Sequence, residues 1–193
     1  MTDLTPPDAP ITIRVLDAAE FADRLDELAG ILVDAVEHGA SVNFLAGFSP
    51  DEATRFWRNQ RDDIASGQKR LLVADQNGRL VATVLLMFAH QPNAPHRADI
   101  GKMLVHSSVR RRGIGRRLLA AAEAKAREAG RTLLMLDTES GSAGDRLYRD
   151  CGWIEIGRVP DHAFTPDGRL AETTMFYKAI GPHTREPGPP AQS

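Results

Sequence analysis

Ten consecutive residues, Leu80 to Ala89, are apolar but for Thr83. The run is half the length of roughly 20 apolar residues that a membrane helix needs. It follows Asn77-Gly78, the dipeptide that best accommodates positive φ at both central positions of a two-residue hairpin. Leu80–Ala89 therefore reads as a strand, and a strand apolar on both faces must be covered on both. That requirement places the chain among the α/β architectures.

The rest of the chain supplies the cover. Ile11–Val15 alternates apolar and polar residues as a short strand does. Phe21, Leu25, Leu28, Leu32 and Val36 recur at helical spacing up to Gly39. Ser49-Pro50-Asp51-Glu52 has the signature of a capping box with Pro in the first turn, and Ala53, Trp57 and Ile64 give that second helix a stripe ending at Gly67. Strands are predicted at Arg70–Asp75, Leu80–Ala89 and Ala98–Val105. A helix follows over Ile114–Ala129, then a strand at Thr132–Leu136, a helix at Ser142–Cys151, and strands at Trp153–Gly157 and Ala171–Ala179. The order predicts a mixed, mostly antiparallel sheet of about seven strands flanked by about four helices. The helical crossover from Ala98–Val105 to Thr132–Leu136 makes those two strands parallel.

At 193 residues the chain fits one domain, 11–180. The Pro- and Gly-rich ends, 1–10 and 181–193, read as disordered tails. Lys and Arg number 24 against 26 Asp and Glu, so a globally basic nucleic-acid protein is excluded while a local basic patch is not. A single cysteine, Cys151, excludes an internal disulfide. Met1–Pro10 lacks the apolar core of a signal peptide and no membrane span is found, so the expected setting is the cytoplasm. The six histidines show no metal-ligand spacing, and no metal is expected.

The sharpest local signal is Arg110-Arg111-Arg112-Gly113-Ile114-Gly115-Arg116-Arg117, between a strand and a helix. Two glycines allow close backbone approach, and helix N-terminal amides attract anions such as phosphate. The loop lacks the Lys-Ser or Lys-Thr of a Walker loop and the third Gly of a dinucleotide fingerprint, where Leu118 stands. The aromatic interleaving of a single-strand nucleic-acid binder is missing too, so no nucleic-acid partner is expected.

Arg-x-x-Gly-x-Gly at Arg110–Gly115 resembles the acyl-CoA pyrophosphate loop of the GNAT superfamily of N-acetyltransferases. Leu147-Tyr148-Arg149-Asp150-Cys151-Gly152-Trp153 resembles that superfamily's Leu-Tyr-x-x-x-Gly-Phe segment at the matching distance downstream. Three segments are together similar to the tabtoxin-resistance acetyltransferase family: His38–Val42, Leu136–Glu139 and Thr165–Leu170. Where the superfamily often has Asn before the Tyr, this chain has Gly141, with Ser142 and Asp145 nearby.

The resemblance implies a GNAT fold with the sheet splayed at the central parallel pair and acetyl-CoA as co-substrate. The backbone of Met103, Leu104 and Val105 would pair with the pantetheine, and Gly101 could support a bulge there. Amides and side chains over Arg110, Arg111, Arg112, Gly113, Ile114, Gly115 and Arg116 would hold the pyrophosphate. A small-molecule amine would attack the thioester through a tetrahedral intermediate, with Tyr148 protonating the departing thiolate. Asp99 and Asp137 are the candidates for proton removal, followed by Glu139. For each, a counter-ion to the ammonium or a plain surface or capping acid is the competing reading. The loop His38–Phe48 would wall the acceptor pocket, with Asn43 donating to a substrate carboxylate or only satisfying its own turn. Cys151, Trp57 and Trp153 read as packing. The alternative to an enzyme is a non-catalytic acyl-CoA sensor or partner-binding module of the same fold. Either a monomer or a homodimer is compatible with the sequence.

Overall fold

The computed structural model describes residues 10–181. The tails read from the sequence lie outside the described residues, except for Pro10 and Gly181. One seven-stranded sheet runs through the molecule in the order β1-β2-β3-β4-β5-β7-β6. Its strands are β1 (Ile11–Val15), β2 (Lys69–Gln76), β3 (Arg79–Phe88), β4 (Arg97–Val105), β5 (Leu133–Glu139), β6 (Ile154–Phe164) and β7 (Leu170–Ala179). Every neighbouring pair is antiparallel except β4 and β5.

β3 is buried on both faces, as its composition demands. Ala82, Val84, Leu86 and Phe88 face one half of the core, and Leu85 faces the other. The first half lies under α5 (Ile114–Glu128) and α6 (Ala143–Asp150); Ile114, Leu118, Leu119, Ala122 and Ala126 of α5 pack into it. The second half lies under α1 (Ala18–Phe21), α2 (Leu25–Glu37), α3 (Pro50–Arg58) and α4 (Arg61–Ala65). Asn77 and Gly78 both take positive φ and close the β2–β3 hairpin. Among the described residues no helix is long and apolar enough to cross a membrane.

The six α segments make four helical stretches, two of them interrupted where one helix was expected. Between α1 and α2, residues Ala22–Arg24 wind as a 3-10 turn. Arg24 is drawn there by Glu20, Glu27 and the Gly78 carbonyl at once. The second break falls at Asn59-Gln60, where a continuous apolar stripe has no residue to offer. Gln60 instead accepts from Lys69 Nζ at 2.8 Å.

β6 runs to Phe164, seven residues past the expected end at Gly157. The strand occupies a sheet edge and bulges between Val159 and Ala163, so Pro160 costs no ladder hydrogen bond. A second bulge is in β4. Thr83 pairs with Leu104 and Leu85 with Gly101, so Lys102 and Met103 together oppose Val84. The residue in left-handed conformation is Lys102 (φ 47°), not Gly101, and Thr83 Oγ1 donates to its carbonyl at 2.9 Å. Gly101 serves close packing instead: a Cβ there would lie 2.9 Å from Met87 Cε.

Trp57 pins α3 to α2: it is fully buried, and its indole N–H donates to the Leu28 carbonyl at 2.9 Å. Trp57→Ala should therefore lower unfolding free energy by about 3–5 kcal/mol, read as a reduced urea midpoint with an unchanged m-value.

Candidate active site

β4 and β5 pair over only three positions, Arg97↔Leu133, Ala98↔Leu134 and Asp99↔Met135. Beyond these β4 stays with β3 and β5 stays with β7, so Ile100–Val105 and Leu136–Glu139 diverge. The bulge at Lys102 adds local twist that carries β4 away from its parallel neighbour. The sheet thus opens into a wedge at the C-terminal ends of two central strands. An unpaired strand edge in the interior is a ready partner for an extended ligand. Met103, Leu104 and Val105 lie on it; the Val105 carbonyl already accepts from Arg110 Nε at 2.9 Å.

The arginine loop sits at the mouth of this wedge. Arg111 (φ 64°) and Gly113 (φ 74°) take left-handed conformations, and Gly113 is the N-cap of α5. Asp17, Ser49 and Ser142 cap α1, α3 and α6 with side-chain oxygens, whereas no side chain caps α5. The first-turn amides of Ile114, Gly115 and Arg116 are left for an anion. Gly115 lets α5 sit against α6, since a Cβ would come within 3.1 Å of Leu147 Cδ2.

Not all the arginines face the loop. Arg110 turns inward to Val105 and lies 3.7 Å from Asp34. Arg116 donates to the Asp150 carbonyl and Arg117 to the Ile11 carbonyl. Arg111 and Arg112 are exposed. Asp34, on α2, anchors the loop from below by accepting from the backbone N–H and hydroxyl of Ser107. Burial pushes its carboxyl up, but the two Ser107 bonds and the nearby His106 outweigh that and hold it below the usual range.

Two sides of the sheet contribute side chains to the wedge. Tyr148 comes from the α5–α6 side and is 6% exposed, with its ring against Trp153 and Phe176. Its helix is set by Ser142 and by Asp145, which accepts from the Gly141 N–H and from Arg149 Nε. Gly144 brings that helix onto β5, where a Cβ would meet Thr138 Oγ1 at 2.9 Å. The Tyr148 hydroxyl has no hydrogen-bond partner among the described residues. Burial, then the negative Asp137, push its pKa well above the usual phenol range.

Asp99 and Asp137 have the strand parity of the opposite side, because their neighbours Ala98, Ile100, Leu134 and Leu136 face α5. Neither carboxylate makes an ion pair or hydrogen bond among the described residues. Burial pushes Asp99 up, opposed by Arg97 and reinforced by Asp137. Lys102 joins them, with its Nζ 5.2 Å from the centre of the Phe56 ring and 5.8 Å from that of Phe44. Burial lowers its pKa, and Asp137 opposes the shift.

A cavity of about 440 Å³ is lined by Glu37, Gly39, Phe48, Glu139 at the end of β5 and the β6–β7 turn from Thr165 to Arg169. Its two loop walls are joined by the Ala46 N–H, which donates to the Pro166 carbonyl at 2.8 Å. Phe48 stacks on Phe44 at 4.0 Å, which links the cavity wall to Lys102. Glu139 lines the cavity, while Asn43 is exposed in a left-handed turn (φ 72°) and is not among the lining residues. Sequence reasoning missed Lys102, Phe44, Phe56 and Asp34. Only Asp34 left a trace, as an acid inside the apolar periodicity of α2.

The sequence pattern of the acetyltransferase (GNAT) family matches residues 33–153. Among solved structures, yncA from Salmonella typhimurium, determined with its cofactor acetyl-CoA, is 21% identical. It covers 95% of this chain and 100% of its own, with a TM-score of 0.73. The ribosomal-protein-alanine N-acetyltransferase of Brucella melitensis is 25% identical over 87% of this chain and 99% of its own, with a TM-score of 0.69. A protein assigned as a phosphinothricin N-acetyltransferase is 20% identical over 90% of this chain and 100% of its own, with a TM-score of 0.70. The likeness to the first and third, both below 25% identity, is one of fold.

Gly113→Asp tests the anion seat. A carboxylate there would compete for the α5 amides, and an Asp would hold the left-handed conformation of Gly113 only at a cost of about 1–2 kcal/mol. Acetyl-CoA affinity measured by calorimetry should fall about tenfold or more; unchanged affinity would remove this helix end as the diphosphate seat.

Proposed function

The chain belongs to the GNAT family of acetyltransferases, and we propose that it acetylates the primary amine of a small, amino-acid-like acceptor of the kind found in amine-bearing toxins and antibiotics. In this reading the catalytic domain spans residues 11–180. Acetyl-CoA is the co-substrate and supplies an acetyl group activated as a thioester.

The residues divide by position. The amides of Ile114, Gly115 and Arg116 hold the diphosphate, with Arg111 and Arg112 adding charge at the surface. The β4 edge at Met103–Val105 receives the pantetheine by main-chain pairing. A free primary amine has a pKa near ~10 and reaches the site protonated. Asp99 and Asp137 draw the ammonium in and take its proton, and burial moves Asp99 towards the pH at which a base can exchange protons. Glu139 lines the acceptor's entry. Tyr148 holds its proton firmly, so it acts on the leaving sulfur as a hydrogen-bond donor and does not need to ionise.

One observation carries this reading. Asp99, at the last β4–β5 pair, and Asp137, just beyond it, lie on one side of the sheet and Tyr148 on the other, and among the described residues neither carboxylate nor the hydroxyl has a hydrogen-bond partner. The amino-acid-like acceptor has separate support. Segments His38–Val42, Leu136–Glu139 and Thr165–Leu170 resemble the tabtoxin-resistance enzymes, and each contributes residues to the wall of one cavity. The likeness to a protein assigned as a phosphinothricin N-acetyltransferase is in keeping with it.

The test is thiol release from acetyl-CoA with a panel of amino acids, amine antibiotics and β-lactam toxins. Release with none of them would end this reading. Tyr148→Phe, which removes a hydrogen bond to a charged sulfur worth about 1.5–3 kcal/mol, should lower kcat by about 10- to 100-fold and leave the Kd for acetyl-CoA unchanged. An unaltered kcat would take the hydroxyl out of the reaction.

A further inference from the structure

Lys102 is the one group in the wedge whose presence the acetyl-transfer reading does not require. Four observations bear on it. It occupies the bulge that parts β4 from β5, in a left-handed conformation better suited to Gly or Asn. Its side chain is half-buried. Its ammonium lies over two phenyl rings, Phe56 and Phe44, that replace part of its water but carry no charge. Finally, among the described residues, no carboxylate lies within ion-pair distance of it and nothing accepts a hydrogen bond from it. A cation drawn out of water without an anion is unfavourable unless a ligand supplies one.

The surroundings define that ligand. Phe44 stacks on Phe48, which lines the cavity, so the ammonium is separated from the cavity wall by one pair of stacked rings. Asp137 is the charged neighbour that acts on it, and Asp99 is acted on in turn by the same Asp137 from the same face of the sheet; neither carboxylate makes an ion pair or hydrogen bond among the described residues. A molecule with an ammonium and a carboxylate on neighbouring atoms satisfies both signs at once: its ammonium goes to the aspartates and its carboxylate to the lysine. A plain amine satisfies only the aspartates.

We propose that Lys102, held by Phe44 and Phe56, binds the carboxylate of the acceptor and makes this enzyme selective for α-amino acids over amines that lack the acid group. The proposal rests on the acetyl-transfer reading and adds the acceptor class to it.

The experiment compares free L-amino acids with their α-carboxamides in the thiol-release assay, using the wild-type chain, Lys102→Met and Lys102→Arg. For the amino acid turned over best, the wild type should show a KM at least tenfold lower than for its carboxamide. Lys102→Met should raise the KM for the acid by a similar factor, leave the carboxamide unchanged and keep the Kd for acetyl-CoA. Lys102→Arg should restore most of the preference for the acid. Equal turnover of acid and carboxamide by the wild type overturns the proposal without any variant having to fold. A Lys102→Met variant that slows acid and carboxamide alike overturns it too, because the lysine then serves the reaction rather than the choice of acceptor. If amines without a carboxylate release thiol and no amino acid does, the proposal fails while the acetyl-transfer reading stands. If no amine of any kind releases thiol, both fall.

Discussion

Everything at the site depends on two parallel strands that stop pairing. β4 and β5 share three residue pairs and then part, although each keeps its antiparallel neighbour to the end. Forfeiting several main-chain hydrogen bonds in a sheet interior is costly unless something else takes them up. The extra residue at Lys102 builds the parting into β4, and the Thr83 hydroxyl secures the bulge by bonding its carbonyl. The wedge is therefore built into the backbone of β4 itself.

The two half-cores hold the wedge open from opposite sides. Under α5 and α6, alanines and glycines set the spacing: Gly115 admits Leu147 and Gly144 admits Thr138. These close contacts deliver Tyr148 to the gap and α5's uncapped end to its mouth. On the other side Trp57 and the phenyl cluster Phe44, Phe48 and Phe56 pack α3 and its preceding loop beneath the strands. Asp34 ties the halves together, since it belongs to α2 yet holds Ser107 at the head of the loop that α5 completes.

Much of this was legible in the residues. The ten-residue apolar run fixed a doubly covered strand, Asn77-Gly78 fixed its hairpin, and the crossover fixed the parallel pair. The twin glycines marked the start of α5, where Gly113 stands as the N-cap. What stayed hidden was what depends on three-dimensional register. Gly101 was the natural guess for the bulge because Gly carries no steric penalty, yet the penalty is borne by Lys102, one residue on. Lys102 itself drew no reading, since nothing in its local sequence shows that Phe44 and Phe56, some 50 residues earlier, lie under it. The long β6 was missed because Pro160 reads as a strand breaker, and only a sheet edge makes it harmless. The arginine loop, by contrast, promised more free charge than the fold leaves: Arg110, Arg116 and Arg117 are spent on carbonyls of the protein's own backbone.

The hydrogen bond from Ala46 to Pro166 joins the two loops that enclose the cavity, and it runs from main chain to main chain. Such a link is indifferent to side-chain identity. Mutations can thus repaint the inner surface of either loop without loosening the enclosure. The side of the sheet under α5 and α6, locked by glycine contacts and by Asp34, has no such latitude. A scaffold partitioned in this way can drift from one acceptor to another through exchanges in two surface segments while its donor chemistry stays constant.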